Sequence, residues 1–393
     1  MQRLKIGLFI DTFFPMIDGV IMVVDNYAKR LNKIADVTVF CPKPNDKNYK
    51  GDFSYKVVRC KKLKVYHYDY SLPLPKLDKK FKKALKEANL DIVHVHSPAT
   101  IGMFGIKYAK KHNIPCVVTL HSQFKKDILK MTHIKWLTNL VTKRIMNRFN
   151  TCDEAWAVNA EIKNLFESSE YNLKIPCRVV ENATDLQFLP NVEQNREEIK
   201  NKFGISQDEH IFLFTGRINV MKNILFIVDA LKIVKDKGIK FKMLFVGSGQ
   251  DENKLKAYVE QNGLTNNVVM VGRVEDRSLL AKIYSASELF LFPSLYDANS
   301  LVQIEAASQK TPAIFLEGAR TAGNVTNNVN GIISKNDASS YAEEIVSILS
   351  DKQRYEMLCE NAYRDLYINW DMVTKEVYEM YQKLIEKNNL PKQ

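Results

Sequence analysis

HIFLFTGRINVMKNILFIVDALKIVKDKGIKFKMLFVGSG, residues 210–249, contains one complete strand–helix–strand unit. The apolar run Ile211–Thr215 stops at Gly216. An amphipathic stretch near Asn223–Lys237 follows, and a second apolar run, Lys242–Val246, again ends on glycine. Unbroken apolar runs flanking a helical pattern predict parallel strands buried on both faces. The same rhythm continues to the right through Val268–Val271, Leu289–Phe292 and Ala313–Phe315. To the left it is repeated by Leu4–Ile10, Val37–Phe40, Lys56–Arg59, Asp91–His96, Cys116–His121, Glu154–Val158 and Arg178–Glu181. Two such sets predict an α/β chain of two doubly wound, Rossmann-like domains facing across a cleft. The boundary is expected in the polar stretch 189–206, giving domains 1–188 and 189–370, with 371–393 as a C-terminal helix packing back on the first domain.

The 393 residues include 57 Lys and Arg and 45 Asp and Glu, a net charge of +12. Residues 1–188 hold 32 basic and 18 acidic residues (+14), and residues 189–393 hold 25 and 27 (−2), so the excess lies entirely in the first half. Two stretches dominate it: 61–86 (nine Lys, two Asp) and 125–148 (seven Lys and Arg, one Asp). Both are amphipathic. Leu77, Phe81, Ala84, Leu85 and Ala88 form one apolar stripe; Ile134, Leu137, Leu140, Val141 and Ile145 form another. Such stripes either pack on a sheet or lie on an anionic bilayer. The six cysteines form no Cys-x-x-Cys pair and read as reduced thiols. No apolar run reaches the ~18 residues needed to span a membrane. A disulfide scaffold, a spanning protein and a collagen-like chain are thereby excluded. The basic runs lack interleaved aromatics in a stacking pattern, and no nucleic-acid-binding module is recognisable.

Ligands of open parallel sheets bind beyond the carboxyl ends of the strands. There Gly216 permits a tight turn, and Arg217 and Lys222 place two cations near a helix start, a setting suited to an anion. Gly247 follows the next strand. In FPSLYDANSLVQIEAAS (292–308), Asp297 and Glu305 present two carboxylates to a polyhydroxylated ligand, while the first-turn amides of Ser300, Leu301 and Val302 face an anion. In the first half, Gly19 follows the first strand, and His96 and His121 each end one. No Asp-x-Asp, zinc or calcium spacing, Walker A loop or Gly-x-Ser-x-Gly elbow occurs.

The order Gly-Arg-x4-Lys-Asn, Val-Gly-x-Gly and Phe-Pro-Ser…Asp-x7-Glu, with DTFFPMIDGV, DIVHVHSP, VVTLHS, AWAVNAEIKNLF and VVENATD before it, resembles the retaining glycosyltransferases of family four, which have the GT-B fold. The start is similar to diacylglycerol glucosyltransferases. The resemblance implies a cytoplasmic enzyme, peripheral on the inner membrane face, that uses a nucleotide-sugar as substrate and needs neither cofactor nor metal. Arg217 and Lys222 would bind the diphosphate, with the Leu301 and Val302 amides on phosphate. Glu305 would hold the ribose, Asp297 would touch the donor sugar, and Arg273 and Val274 would meet the base. Gly19 would face the phosphates and His121 the transferred sugar. The acceptor would be a lipid, a lipid-linked molecule or a glycan. Asp replaces Glu at 297, Ala298-Asn299-Ser300 replaces Gly-Phe-Gly, and Asn182-Ala183-Thr184-Asp185 replaces Asn-Gly-x-Asp. A soluble polysaccharide-extending transferase and a silent sugar-nucleotide-binding protein are the alternatives.

Overall fold

The computed structural model describes residues 3–16, 18–46, 48–64, 71–297 and 301–390. The chain divides into two compact units, Met1–Asn182 with Trp370–Gln393, and Ala183–Asn369. The expected boundary at 189 thus lies six residues too late. The physical reason is local: Thr184 N–H donates to Ile368 O at 2.9 Å, Thr184 bridges Asn369, and Leu186 already belongs to the second core. Within the polar stretch 189–206, Val192–Phe203 forms a helix.

The first unit contains strands β1 (Lys5–Phe9), β2 (Asp36–Pro42), β3 (Lys56–Cys60), β4 (Lys62–Lys64), β5 (Ser71–Pro73), β6 (Ile92–Val95), β7 (Cys116–Leu120), β8 (Glu154–Ala157) and β9 (Cys177–Val179). Seven of them form a parallel sheet in the order β3-β2-β1-β6-β7-β8-β9, and β4 and β5 form an antiparallel pair. Its helices are α1 (Gly19–Leu31), α2 (Lys79–Ala88), α3 (Thr100–His112), α4 (Phe124–Thr132), α5 (Lys135–Phe149) and α6 (Ala160–Glu167). The order turns back between β1 and β6, where Asp11 supplies the closure. Its carboxylate accepts from Ser97 Oγ (2.6 Å) and from the amides of Ala99, Ile101 and Gly102, capping α3 from another strand's end.

The second unit contains α7 (Val192–Phe203), β10 (His210–Thr215), α8 (Ile224–Asp236), β11 (Phe241–Val246), α9 (Glu252–Gln261), β12 (Val268–Gly272), α10 (Arg277–Ala286), β13 (Leu289–Leu291), α11 (Leu301–Ser308), β14 (Ala313–Leu316), β15 (Ile332–Ser334), α12 (Ala338–Ser350) and α13 (Lys352–Leu366). Its sheet runs β12-β11-β10-β13-β14-β15, a doubly wound order with the switch point between β10 and β13. One core joins both sheet faces, built on Phe212, Phe214, Phe245, Phe290 and Phe292. The final helix, α14 (Trp370–Asn389), returns to the first unit and packs on α1.

Under α1 and α14 lies an aromatic and histidine layer. Trp156 stacks on Tyr381 at 5.5 Å, and Tyr27 meets Trp370 edge-on at 5.2 Å. His94 is fully buried between Tyr381 Oη and Thr119 Oγ1, each 2.6 Å away. His96 Nδ1 lies 3.0 Å from His121 Nε2. Burial drives His94 and His96 well below the ordinary imidazole range and His121 down to about 3. The folded chain therefore binds fewer protons here than the unfolded chain, and stability falls as pH drops below the unfolded value near ~6.5. Between pH 7 and 5 the wild type is expected to lose up to about 1.4 kcal/mol per pH unit more than His121→Gln. Urea unfolding across that range checks this; parallel pH profiles for the two proteins would refute it.

Candidate active site

The second unit's site grows from three strand ends joined through their backbones. Gly216 N–H donates to Val246 O (3.0 Å), Ile218 N–H to Ser248 O (3.1 Å) and Gly247 N–H to Gly272 O (2.8 Å). Asp251 closes the same corner, its carboxylate accepting from Val220 N–H at 2.9 Å. Gly247 has φ +136°, and a Cβ there would lie 1.9 Å from Gly216 O. This glycine is required by the packing of one loop on the next. The joined loops present Arg217 at the surface, without a hydrogen bond or ion pair to the described residues.

Lys222 ends a 3₁₀ turn (Val220–Lys222), and Asn223 follows in the left-handed region at φ 61°, opening α8. Asn223 Nδ2 donates to Pro293 O at 3.3 Å, tying this turn to the loop after β13. Across the switch point the Lys222 ammonium is ion-paired with the Asp297 carboxylate, whose other oxygen accepts from Ser294 Oγ at 2.6 Å. Arg217, Lys222 and Asp297 therefore all stand on the β10 and β13 ends of one sheet. The Lys222–Asp297 pair was not foreseen, since sequence separation of 75 residues gives no sign of it. A bound diphosphate would share Lys222 with Asp297, whereas Arg217 is available to it outright.

Glu305 lies in α11 and is only 8% exposed. Its Oε1 is 2.9 Å from an Arg277 nitrogen, and its Oε2 accepts from Tyr284 Oη at 3.1 Å. Tyr284 Oη also bonds Thr215 Oγ1, the last residue of β10, so the carboxylate is linked to the strand that carries Arg217. Burial raises the Glu305 carboxyl above its usual range, and Arg277 acts against that rise. Leu301 and Val302 open α11, where first-turn amides lack intrahelical acceptors. Ser300, with Ala298 and Asn299, lies outside the described residues. Arg273 is exposed and paired with Glu275 at 3.1 Å, and Val274 packs on the core beside it.

Gly19 and His121 belong to the first unit. Asp18 caps α1 by accepting from Ile21 N–H at 2.9 Å, and Gly19 is the first helical residue, with no atom within 4 Å of where its Cβ would be. His121, directly after β7, is half-buried, its Nε2 engaged by His96. Among the described residues no group of three His, Cys, Asp or Glu has an arrangement that would hold a metal ion.

On α2 only Phe81 and Leu85 are buried, and Leu77 is 70% exposed. On α5 the buried face is Thr138, Thr142, Met146 and Phe149. The apolar stripe of Ile134, Leu137, Leu140, Val141 and Ile145 lies half-buried or exposed, because two threonines take the inner positions. Thr138 and Thr132 meet there, with hydroxyls 2.9 Å apart.

Residues 17–188 match the sequence family Glycosyltransferase Family 4, and residues 195–365 match Glycosyl transferases group 1. The chain is 24% identical to the alpha-monoglucosyldiacylglycerol synthase of Streptococcus pneumoniae, over 99% of its own length and 88% of the relative's. In fold it is similar to sucrose-phosphate synthase from Thermosynechococcus elongatus (TM-score 0.80, 20% identity, 98% of this chain and 100% of that one). It is also similar to the Anabaena protein HepE solved with UDP-glucose (TM-score 0.73, 17% identity, 97% and 100%). With both halves matched in order around a switch-point cation and carboxylate set, the chain belongs to the glycosyltransferases of the GT-B fold, its first half a family 4 domain and its second a group 1 domain.

Proposed function

We propose that this glycosyltransferase moves glucose from UDP-glucose to a hydroxyl of a lipid or lipid-linked acceptor at an anionic, cytoplasmic membrane surface, with retention of the anomeric configuration. The observation that carries the donor half is the grouping of Arg217, Lys222 and Asp297 at the β10/β13 switch point. In the reaction the bond from the anomeric carbon to the β-phosphate oxygen breaks. The acceptor oxygen bonds to that carbon on the same face, and its proton passes to the departing diphosphate. Arg217, Lys222 and the amides of Leu301 and Val302 neutralise the charge that develops there, so the reading calls on no metal. Glu305 accepts from the ribose hydroxyls, Asp297 from the sugar, and Arg273 and Val274 border the base. Gly19 admits the phosphates closely, and neutral His121 orients the sugar. UDP-glucose in the HepE complex and the glucosyl product named for the pneumococcal relative support this donor.

The acceptor half rests on the α4–α5 hairpin. Met131 (63% exposed), Ile134 and Trp136 (69%) crowd its tip, with Leu129 and Leu140 behind. Lys125, Lys126, Lys130, Lys135, Lys143 and Arg144 surround them. In the other basic stretch Leu63 and Leu72 pair across β4 and β5, both exposed, near Leu77. Both regions pack against α3. Exposed apolar residues set among lysines are the composition of a surface that inserts shallowly among anionic headgroups. No helix among the described residues is long and apolar enough to cross a membrane.

UDP release from UDP-glucose, with diacylglycerol in anionic vesicles as acceptor, tests the reading. Arg217→Ala is expected to cut turnover by about 100-fold or more while the fold is kept; near-normal turnover would remove the donor assignment. Release without glycolipid would favour a soluble acceptor, and UDP binding without any release a silent binder. Separately, Met131→Ser combined with Trp136→Ser is expected to abolish co-sedimentation with anionic vesicles at low salt while UDP affinity stays unchanged. Sedimentation equal to the wild type would move the membrane surface elsewhere.

A further inference from the structure

Glu305 is the most deeply enclosed carboxylate of the donor site, and how such a group stays useful is a physical question. An isolated buried carboxylate takes up a proton and then offers a donor where two ribose hydroxyls need acceptors. Among the described residues one cation reaches it, Arg277 at the first position of α10. The same guanidinium nitrogen also holds Asp185, in the segment where the chain enters the second unit. Arg277 Nε–H is enclosed and finds no acceptor among the described residues. The guanidinium thus gives up one hydrogen bond in order to lie between the two carboxylates. Tyr284 Oη holds the second oxygen of Glu305 and is itself held by Thr215. Each carboxylate oxygen has one protein partner, which leaves a lone pair on each for a ligand.

We propose that Arg277 is a positioning residue for nucleotide binding: it keeps Glu305 ionised and turned so that both oxygens accept hydrogen bonds from the ribose diol of the donor. The inference rests on the assignment of Glu305 to the ribose. In this reading Arg277 acts through Glu305 rather than on the nucleotide. Burial raises the Glu305 carboxyl, and the groups that face it are Arg277 and Tyr284 from α10 and Asp185 from the entering segment. Asp185 works in the same direction as burial, and Arg277 is the counterweight to both. Removing Arg277 shifts Glu305 toward its protonated form, the more so the lower the pH.

Calorimetric titration of the full chain with UDP, which needs no acceptor, tests this. Arg277→Gln is expected to weaken UDP about tenfold or more at pH 6.5, the value of one charge-assisted hydrogen bond. The deficit should shrink as pH rises to 8.5, while the wild type changes little. Arg277→Lys should recover most of the affinity, since an ammonium restores the charge. In turnover the loss should appear in the KM for donor with kcat nearly unchanged. Unchanged UDP affinity in Arg277→Gln, or a deficit equal at both pH values, would overturn the proposal. Failure of the wild type to bind UDP would instead overturn the nucleotide assignment itself. Circular dichroism and the Lys variant separate either result from loss of fold.

Discussion

The carbonyl oxygen of Gly216 occupies the place where a side chain on Gly247 would begin. That exclusion sets the second unit's geometry. Parallel strands end in amides and carbonyls with no partner in the next turn, and here three consecutive strand ends satisfy one another sideways: 216 to 246, 218 to 248 and 247 to 272. Only a residue without a Cβ allows so close an approach. Arg217 thus projects from a rigid corner, and the 3₁₀ turn that presents Lys222 is fixed to the same corner through Asp251. Two cations are thereby held at one corner, and the backbone provides the holding.

The first unit is organised by a different economy of charge. Its sheet edge carries three imidazoles, all kept neutral by enclosure, and one carboxylate, Asp11, that spends its lone pairs on α3 and its approach. Neutral imidazoles under aromatic rings make a polar layer without a field of its own. The +14 of residues 1–188 is carried in large part by lysines on α2, α4 and α5. In the second unit the arrangement is reversed: the surface is near neutral and the cations are at the switch point.

Much of this was legible from the residues. Buried parallel strands are apolar throughout, so the long runs around Ile211, Lys242 and Cys116 announced themselves, and so did the Rossmann-like rhythm. Short or edge elements did not: β15 has three residues, and the β4–β5 pair lies in a lysine-rich stretch that reads as surface. Helix α7 was hidden because its sequence is mostly polar, with Ile199 as its main core contact. At the site, order and spacing along the chain brought out Arg217, Lys222, Asp297 and Glu305, the first three in loops after strands and the last within a helix. They were silent on the partners that give those residues their state. Tyr284 and Arg277 carry no motif, and nothing in the sequence tied Ser294 to Asp297 or Asp11 to α3. The spacing left open which face of α5 is buried; Thr138, bonded to Thr132 within the hairpin, and Thr142 take packed positions where leucines were available.

The return of α14 to the first unit has a consequence for how the molecule is made. Tyr27, Trp156 and His94 are covered by Trp370 and Tyr381, residues that leave the ribosome after the whole second unit. At ordinary synthesis rates the interval is roughly 10–40 s. For that time the nascent first unit has a complete sheet but an uncovered aromatic face, while the second unit can already close on itself. The earlier half of the chain is thus the later to finish, and the interval is a window in which a chaperone can meet the exposed rings first.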